Sequence, residues 1–176
     1  TGRAYVWTKI LVLYDVCRTL KHEADAWVLW VDADACIVSP EFDPVGQIIR
    51  QKPQGTEIII AKDVNGINLG VMLLKNTPFV RTLLRKIWSM RDCLGHCWQE
   101  QQAFVTLLEH NWNGLSGKIS FEKQAVLNAY TYSLHPKVGK PYPEGELSRE
   151  TFICHVPDLP LPERAAHLRK VLDDRR

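Results

Sequence analysis

The chain has 176 residues, 45% hydrophobic and 24% charged, which suffices for one globular domain with a substantial core and excludes a largely disordered segment. Its net charge of +2 comes without a dense basic run, so electrostatics excludes nucleic acid as the main partner. No apolar stretch reaches the roughly 18 to 20 residues that span a bilayer, and no charged segment with an apolar core opens the chain. Starting at Thr1 and not at Met, it reads as an internal or trimmed piece of a longer protein.

In chain order, Ile10, Leu13, Tyr14, Cys17 and Leu20 recur at helical spacing behind Thr8, a residue type suited to an N-cap, and predict an amphipathic helix over 9–21. A nearly unbroken apolar and β-branched run then predicts a buried strand over 27–33. Pro40 and Pro44 punctuate a loop, 45–51 is a short helix candidate, and 57–62 is a second β-branched run. Asn65-Gly66 marks a turn into a third strand over 68–75. Thr77-Pro78 is an N-cap and N1 pair for a helix to Met90, with Val80, Leu83, Leu84, Ile87 and Trp88 inward. A helix over 99–110 should bury Ala103, Phe104, Leu107 and Leu108. Short strands are expected at 118–121, 125–127 and 151–156, a Pro- and Gly-rich loop over 135–149, and a closing helix over 162–172. Strands alternating with helices predict a single α/β domain over 1–176, a mostly parallel sheet flanked by helices.

The chemistry concentrates at Asp32-Ala33-Asp34. Alternate strand residues share a face, so the two carboxylates begin about 7 Å apart, and a bend at the strand end lets both reach one ion. Like charges held close in a poorly solvated site repel unless a metal or proton intervenes, and an all-oxygen set suits Mg²⁺ or Mn²⁺. In open α/β sheets ligands sit beyond the carboxyl ends of strands, which is where this pair lies. Elsewhere the signals are weaker. Cys93, His96 and Cys97 offer at most three zinc ligands crowded together with no second knuckle. The five cysteines lack framework spacing and leave both redox compartment and any disulfide open.

An Asp-x-Asp after a strand fits two enzyme classes. In phosphatases of the haloacid-dehalogenase type a Thr or Val normally stands two positions after the second Asp. Cys36 stands there in this chain, and the only later acidic pair, Asp173-Asp174, lies in a charged tail. In metal-dependent glycosyltransferases the carboxylates hold a divalent cation that binds the diphosphate of a nucleotide sugar.

The wider pattern resembles one family. Trp7-Thr8-Lys9, Trp27-Val-Leu-Trp-Val-Asp-Ala-Asp-Ala35, Ile67-Asn-Leu-Gly-Val-Met-Leu-Leu-Lys-Asn-Thr-Pro78, Gln99-Glu-Gln-Gln-Ala103, Leu127-Asn-Ala-Tyr130 and Phe152-Ile-Cys-His155 follow the order seen in glycosyltransferase family 34. That family includes fungal α-galactosyl- and mannosyltransferases and plant xyloglucan xylosyltransferases. The resemblance implies a GT-A-like core in which Asp32, Asp34 and His155 bind Mn²⁺ (or Mg²⁺), and in which Lys9, Asp32, Ala33, Asp34, Asn68 and Gly70 surround the donor. It implies that Glu100 and Gln101 lie against the donor sugar and stabilise positive charge at the anomeric carbon. The implied donor is a UDP- or GDP-sugar and the acceptor a glycan, with retention of anomeric configuration. A Golgi lumen or membrane is the implied setting for a eukaryotic member, with anchoring in the parent protein, and the cytoplasm otherwise. It also implies that the first strand and turn, which hold the base and ribose, precede what is present here. A nucleotide-sugar or glycan-binding module of the same fold, without transfer, is the alternative.

Overall fold

A computed structural model describes residues 2–23, 25–38, 43–131, 145–157 and 159–174. The expected loop over 135–149 lies outside the described residues up to 144, as does Pro40. The helices are α1 (Thr8–Thr19), α2 (Pro44–Arg50), α3 (Pro78–Ser89), α4 (Gln99–Glu109), α5 (Gln124–Leu127) and α6 (Leu161–Asp173). The strands are β1 (Trp27–Val31), β2 (Ala35–Ile37), β3 (Ile58–Asp63), β4 (Gly66–Lys75), β5 (Ile119–Glu122) and β6 (Ile153–His155).

Four strands form one sheet in the order β1-β4-β3-β5, and β2 pairs with β6 in a second ladder. The sheet is mixed. Asp63 turns the chain between β3 and β4 by accepting a hydrogen bond from Asn65 N at 2.6 Å, and so short a connection makes these strands antiparallel. Asp32 N donates to Gly70 O and Asn76 N to Ala26 O, each at 2.8 Å, so β1 also runs against β4. The α/β architecture expected from the strand and helix alternation is thus observed, with helices flanking a mixed sheet.

By contacts the chain divides into two compact units. The first comprises Thr1–Trp30, Pro53–Ile59 and Met72–Ser120. Its core is the inward stripe of three helices: Ile10, Leu13 and Cys17 of α1, Val80, Leu83, Leu84 and Ile87 of α3, and Ala103, Phe104 and Leu107 of α4. Each Leu or Ile fully buried here contributes roughly 1.5–3 kcal/mol. Thr77 caps α3 as expected, its Oγ1 accepting from Val80 N at 3.1 Å with Pro78 opening the helix. Thr8 does not cap α1: a 3₁₀ turn, Tyr5–Trp7, leads straight into the helix, so Thr8 already has helical geometry. Arg3 lies 4.1 Å from the Trp88 ring centroid and donates to the Trp88 carbonyl at 2.6 Å.

The second unit comprises Val31–Lys52, Ile60–Val71 and Phe121–Arg176. Here α6 lays Val171 against Val38, Cys154 and Val156 of the β2–β6 region. The segment 125–127, expected as a strand, lies in α5, since three apolar residues are too few for a period to separate helix from strand. The expected strand over 27–33 ends at Val31. It is half-buried along its length, not fully buried, because β1 is an edge of its sheet. The five cysteines are free thiols.

Candidate metal and donor site

The chain leaves β1 at Asp32 and turns: Ala35 N donates back to Asp32 O at 3.0 Å, with Ala33 exposed at the tip. It re-enters a ladder at once. β2 pairs antiparallel with β6 in a register that sets Ala35 opposite His155, and Val156 N donates to Asp34 O at 3.0 Å. This β2–β6 pairing, absent from the sequence reading, brings residue 155 beside residues 32 and 34. One ligand atom from each of Asp32, Asp34 and His155 lies within 4.8 Å of the other two. Among the described residues this is the one group of three or more such side chains so placed, and Cys93, His96 and Cys97 form none.

The imidazole is fixed from two sides. Its Nδ1 stands 2.7 Å from Asn128 Oδ1 in a fully buried contact, and its Nε2 stands 3.1 Å from Asp34 Oδ1. Asn128 Oδ1 accepts only, so Nδ1 carries a proton there, and Nε2 is the nitrogen turned to the carboxylates. A ring nitrogen and a carboxylate oxygen at this distance have either a proton or a cation between them. This is the arrangement of a metal-ligating histidine with an outer partner on its other nitrogen. The mixed Asp/Asp/His set therefore fits a divalent cation.

β4 supplies the floor. A Cβ at Gly70 would lie 2.3 Å from His155 Cε1, so only glycine lets the ring rest on this strand. Asn68 is turned inward: its Nδ2 donates to Asp63 Oδ2 at 2.8 Å and its Oδ1 accepts from Gly70 N at 2.7 Å. Tyr130 also donates to Asp63 Oδ2, at 2.6 Å, and its ring meets His155 edge-on at 6.2 Å between centroids. Arg164 of α6 donates Nη1 to Asp34 Oδ2 at 2.5 Å. Burial pushes the Asp34 carboxyl up, but the hydrogen bond and charge of His155 and the charge of Arg164 outweigh it. They hold Asp34 below the usual carboxylate value.

The other expected site residues lie in the first unit. Lys9 is buried, with Nζ 3.2 Å from Glu100 Oε1, which is buried as well. Glu100 stands in the first turn of α4, where the helix dipole favours a carboxylate, and Gln101 beside it is half-buried. The structure thus gathers Asp32, Asp34, His155, Asn68 and Gly70 in one unit and pairs Lys9 with Glu100 in the other. Asn128, although within the motif Leu127-Asn-Ala-Tyr130, and Arg164 were given no site role from sequence. Asn128 had a signal, as a polar residue inside the apolar stretch 125–130; Arg164, one charge in a charged helix, had none.

A comparison with solved structures gives the fold first. The structure superposes on a glycosyltransferase involved in the glycosylation of the major capsid of PBCV-1, with a TM-score of 0.66 and 18% sequence identity. That match covers 93% of this chain and 75% of the other. The particular family follows from sequence: residues 45–155 match the galactosyl transferase GMA12/MNN10 family, glycosyltransferase family 34, and the chain belongs to it. The matched segment ends on His155. An alpha-1,2-galactosyltransferase of Schizosaccharomyces pombe is 26% identical over 137 residues, 59% of this chain and 36% of the relative. An uncharacterised alpha-1,2-galactosyltransferase of the same yeast is 27% identical over 113 residues, 47% of this chain and 29% of the relative. The chain therefore spans about a third of the length of the curated relatives it matches.

Proposed function

We propose that residues 1–176 form one GT-A-like catalytic core that transfers a sugar from a UDP- or GDP-linked donor to a glycan acceptor, with Mn²⁺ (or Mg²⁺) held by Asp32, Asp34 and His155. The observation that carries this reading is the convergence of three ligand atoms within 4.8 Å, in a chain of a glycosyltransferase family. The nitrogen ligand favours Mn²⁺ over Mg²⁺. A divalent ion bound there supplies charge to the donor diphosphate, where negative charge builds as the glycosidic bond breaks.

The chain's own part is orientation. Asn128 keeps the His155 Nε2 aimed at the carboxylates, and Gly70 gives the ring its place. We assign Lys9 to the diphosphate or donor sugar, and Glu100 and Gln101 to stabilising positive charge at the anomeric carbon. Retention through front-face displacement needs no protein base, because the leaving phosphate helps to deprotonate the acceptor hydroxyl. The yeast relatives support a Golgi-type setting. Among the described residues no helix is long and apolar enough to cross a membrane.

The test incubates the chain with UDP-galactose and with GDP-mannose, with Mn²⁺ or EDTA, and follows release of UDP or GDP with and without oligosaccharide acceptors. Release that needs the metal and is lost in Asp34→Asn is expected. Donor binding without release identifies a binding module, and release that is indifferent to EDTA overturns the metal assignment.

A further inference from the structure

Arg164 stands in the first turns of α6 and is tied at two points: its Nε donates to the Leu159 carbonyl and its Nη1 to Asp34 Oδ2, each at 2.5 Å. Asp34 thereby divides its oxygens, Oδ1 toward the His155 Nε2 and Oδ2 toward the guanidinium. The guanidinium keeps its charge at any working pH, and the Asp34 side chain is only 18% exposed, so water screens the pair weakly. Ionised Asp32 and Asp34 carry two negative charges. Arg164 already cancels half of that before any ion arrives, and a divalent ion arriving as well leaves the group with a net positive charge. The group then carries +1, and a diphosphate, with two or more negative charges, more than offsets it and is attracted by the ion and the guanidinium together.

Resting on the cation site described above, we propose that Arg164 is a charge switch: it makes a divalent ion bind weakly on its own and tightly only together with a nucleoside diphosphate. The coupling is reciprocal, so the diphosphate gains as much from the ion as the ion gains from it. A residue that merely held Asp34 in place would strengthen both binding events in the same direction.

The test titrates Mn²⁺ into the wild-type chain, Arg164→Gln and Arg164→Lys, following free Mn²⁺ by electron paramagnetic resonance, without and with saturating UDP. In Arg164→Gln, Mn²⁺ alone is expected to bind on the order of tenfold tighter, and Mn²⁺ in the presence of UDP on the order of tenfold weaker. Arg164→Lys keeps the charge but not the fork, and is expected to keep the sign of the coupling. Weaker Mn²⁺ binding in Arg164→Gln under both conditions, or no change under either, overturns the switch while leaving the cation site standing. Absence of Mn²⁺ binding in the wild type under both conditions overturns the cation site, and the switch with it.

Discussion

Gly70→Ala is a one-methyl perturbation aimed at the cation site. The added Cβ would lie 2.3 Å from His155 Cε1, more than 1 Å inside ordinary van der Waals contact, and 2.9 Å from its Nδ1. The strand cannot withdraw, since Gly70 N donates to Asn68 Oδ1 at 2.7 Å and Gly70 O accepts from Asp32 N at 2.8 Å. The ring must move instead, although it is 3% exposed and hydrogen-bonded to Asn128. Overpacking of this kind costs about 1–3 kcal/mol, a fall of roughly 2–12 °C in Tm for a chain of this length. A displaced ligand should weaken Mn²⁺ binding about 10- to 100-fold, the usual effect of disturbing what orients a metal-bound imidazole. Gly66→Ala is the control. Its φ of +107° makes alanine strained, but the new Cβ meets nothing within 4 Å, so stability should fall while Mn²⁺ affinity stays at the wild-type value. Calorimetry measures both quantities. Wild-type Mn²⁺ affinity in Gly70→Ala would refute the placement of His155 on β4.

Lys9→Met should cost about 3–5 kcal/mol, because it removes the cation 3.2 Å from a buried carboxylate, and Lys9→Met with Glu100→Gln should recover much of the loss. Urea unfolding decides this, and a neutral Lys9→Met would mean the pair is not buried. Burial pushes the Cys17 thiol up, with Arg81 pulling the other way, so the native chain keeps a proton that the unfolded chain releases. Stability from this group is intact below about pH 8.5 and declines as pH rises past it. Iodoacetamide at pH 8.5 should accordingly modify exposed Cys97 and spare Cys17, as read by peptide mass mapping; equal labelling of both would contradict the burial.

Helices α1, α3 and α4 were legible because each buries one stripe at a period that a 10- to 12-residue window resolves, and Thr77-Pro78 marked a true start. The strands β3 and β4 were legible from the runs around Asn65-Gly66, but their antiparallel direction was not read there, since the alternation of strands and helices pointed to a mostly parallel sheet. What escaped was short or long-range. β2 has three residues, too few for a pattern, yet its ladder with β6 carries Asp34 to His155. The apolar run 27–31 announced burial that an edge strand only half delivers, since nothing within a strand's own residues reveals its place in the sheet. The two carboxylates do approach each other, with His155, to within 4.8 Å. What sets their approach is the turn closed by Ala35 N, not a bend in a continuous strand. The partners Asn128 and Arg164 depend on contacts 27 and 130 residues away along the chain, which local periodicity does not encode.

The central claim is that Asp32, Asp34 and His155 hold a cation that receives a nucleoside diphosphate. Its most direct test is calorimetric titration of UDP and of GDP into the chain with Mn²⁺ and again with EDTA, alongside Asp34→Asn. The account predicts binding of at least one nucleotide that requires Mn²⁺ and disappears in the variant. Nucleotide binding of equal strength in EDTA, or in Asp34→Asn, would contradict it.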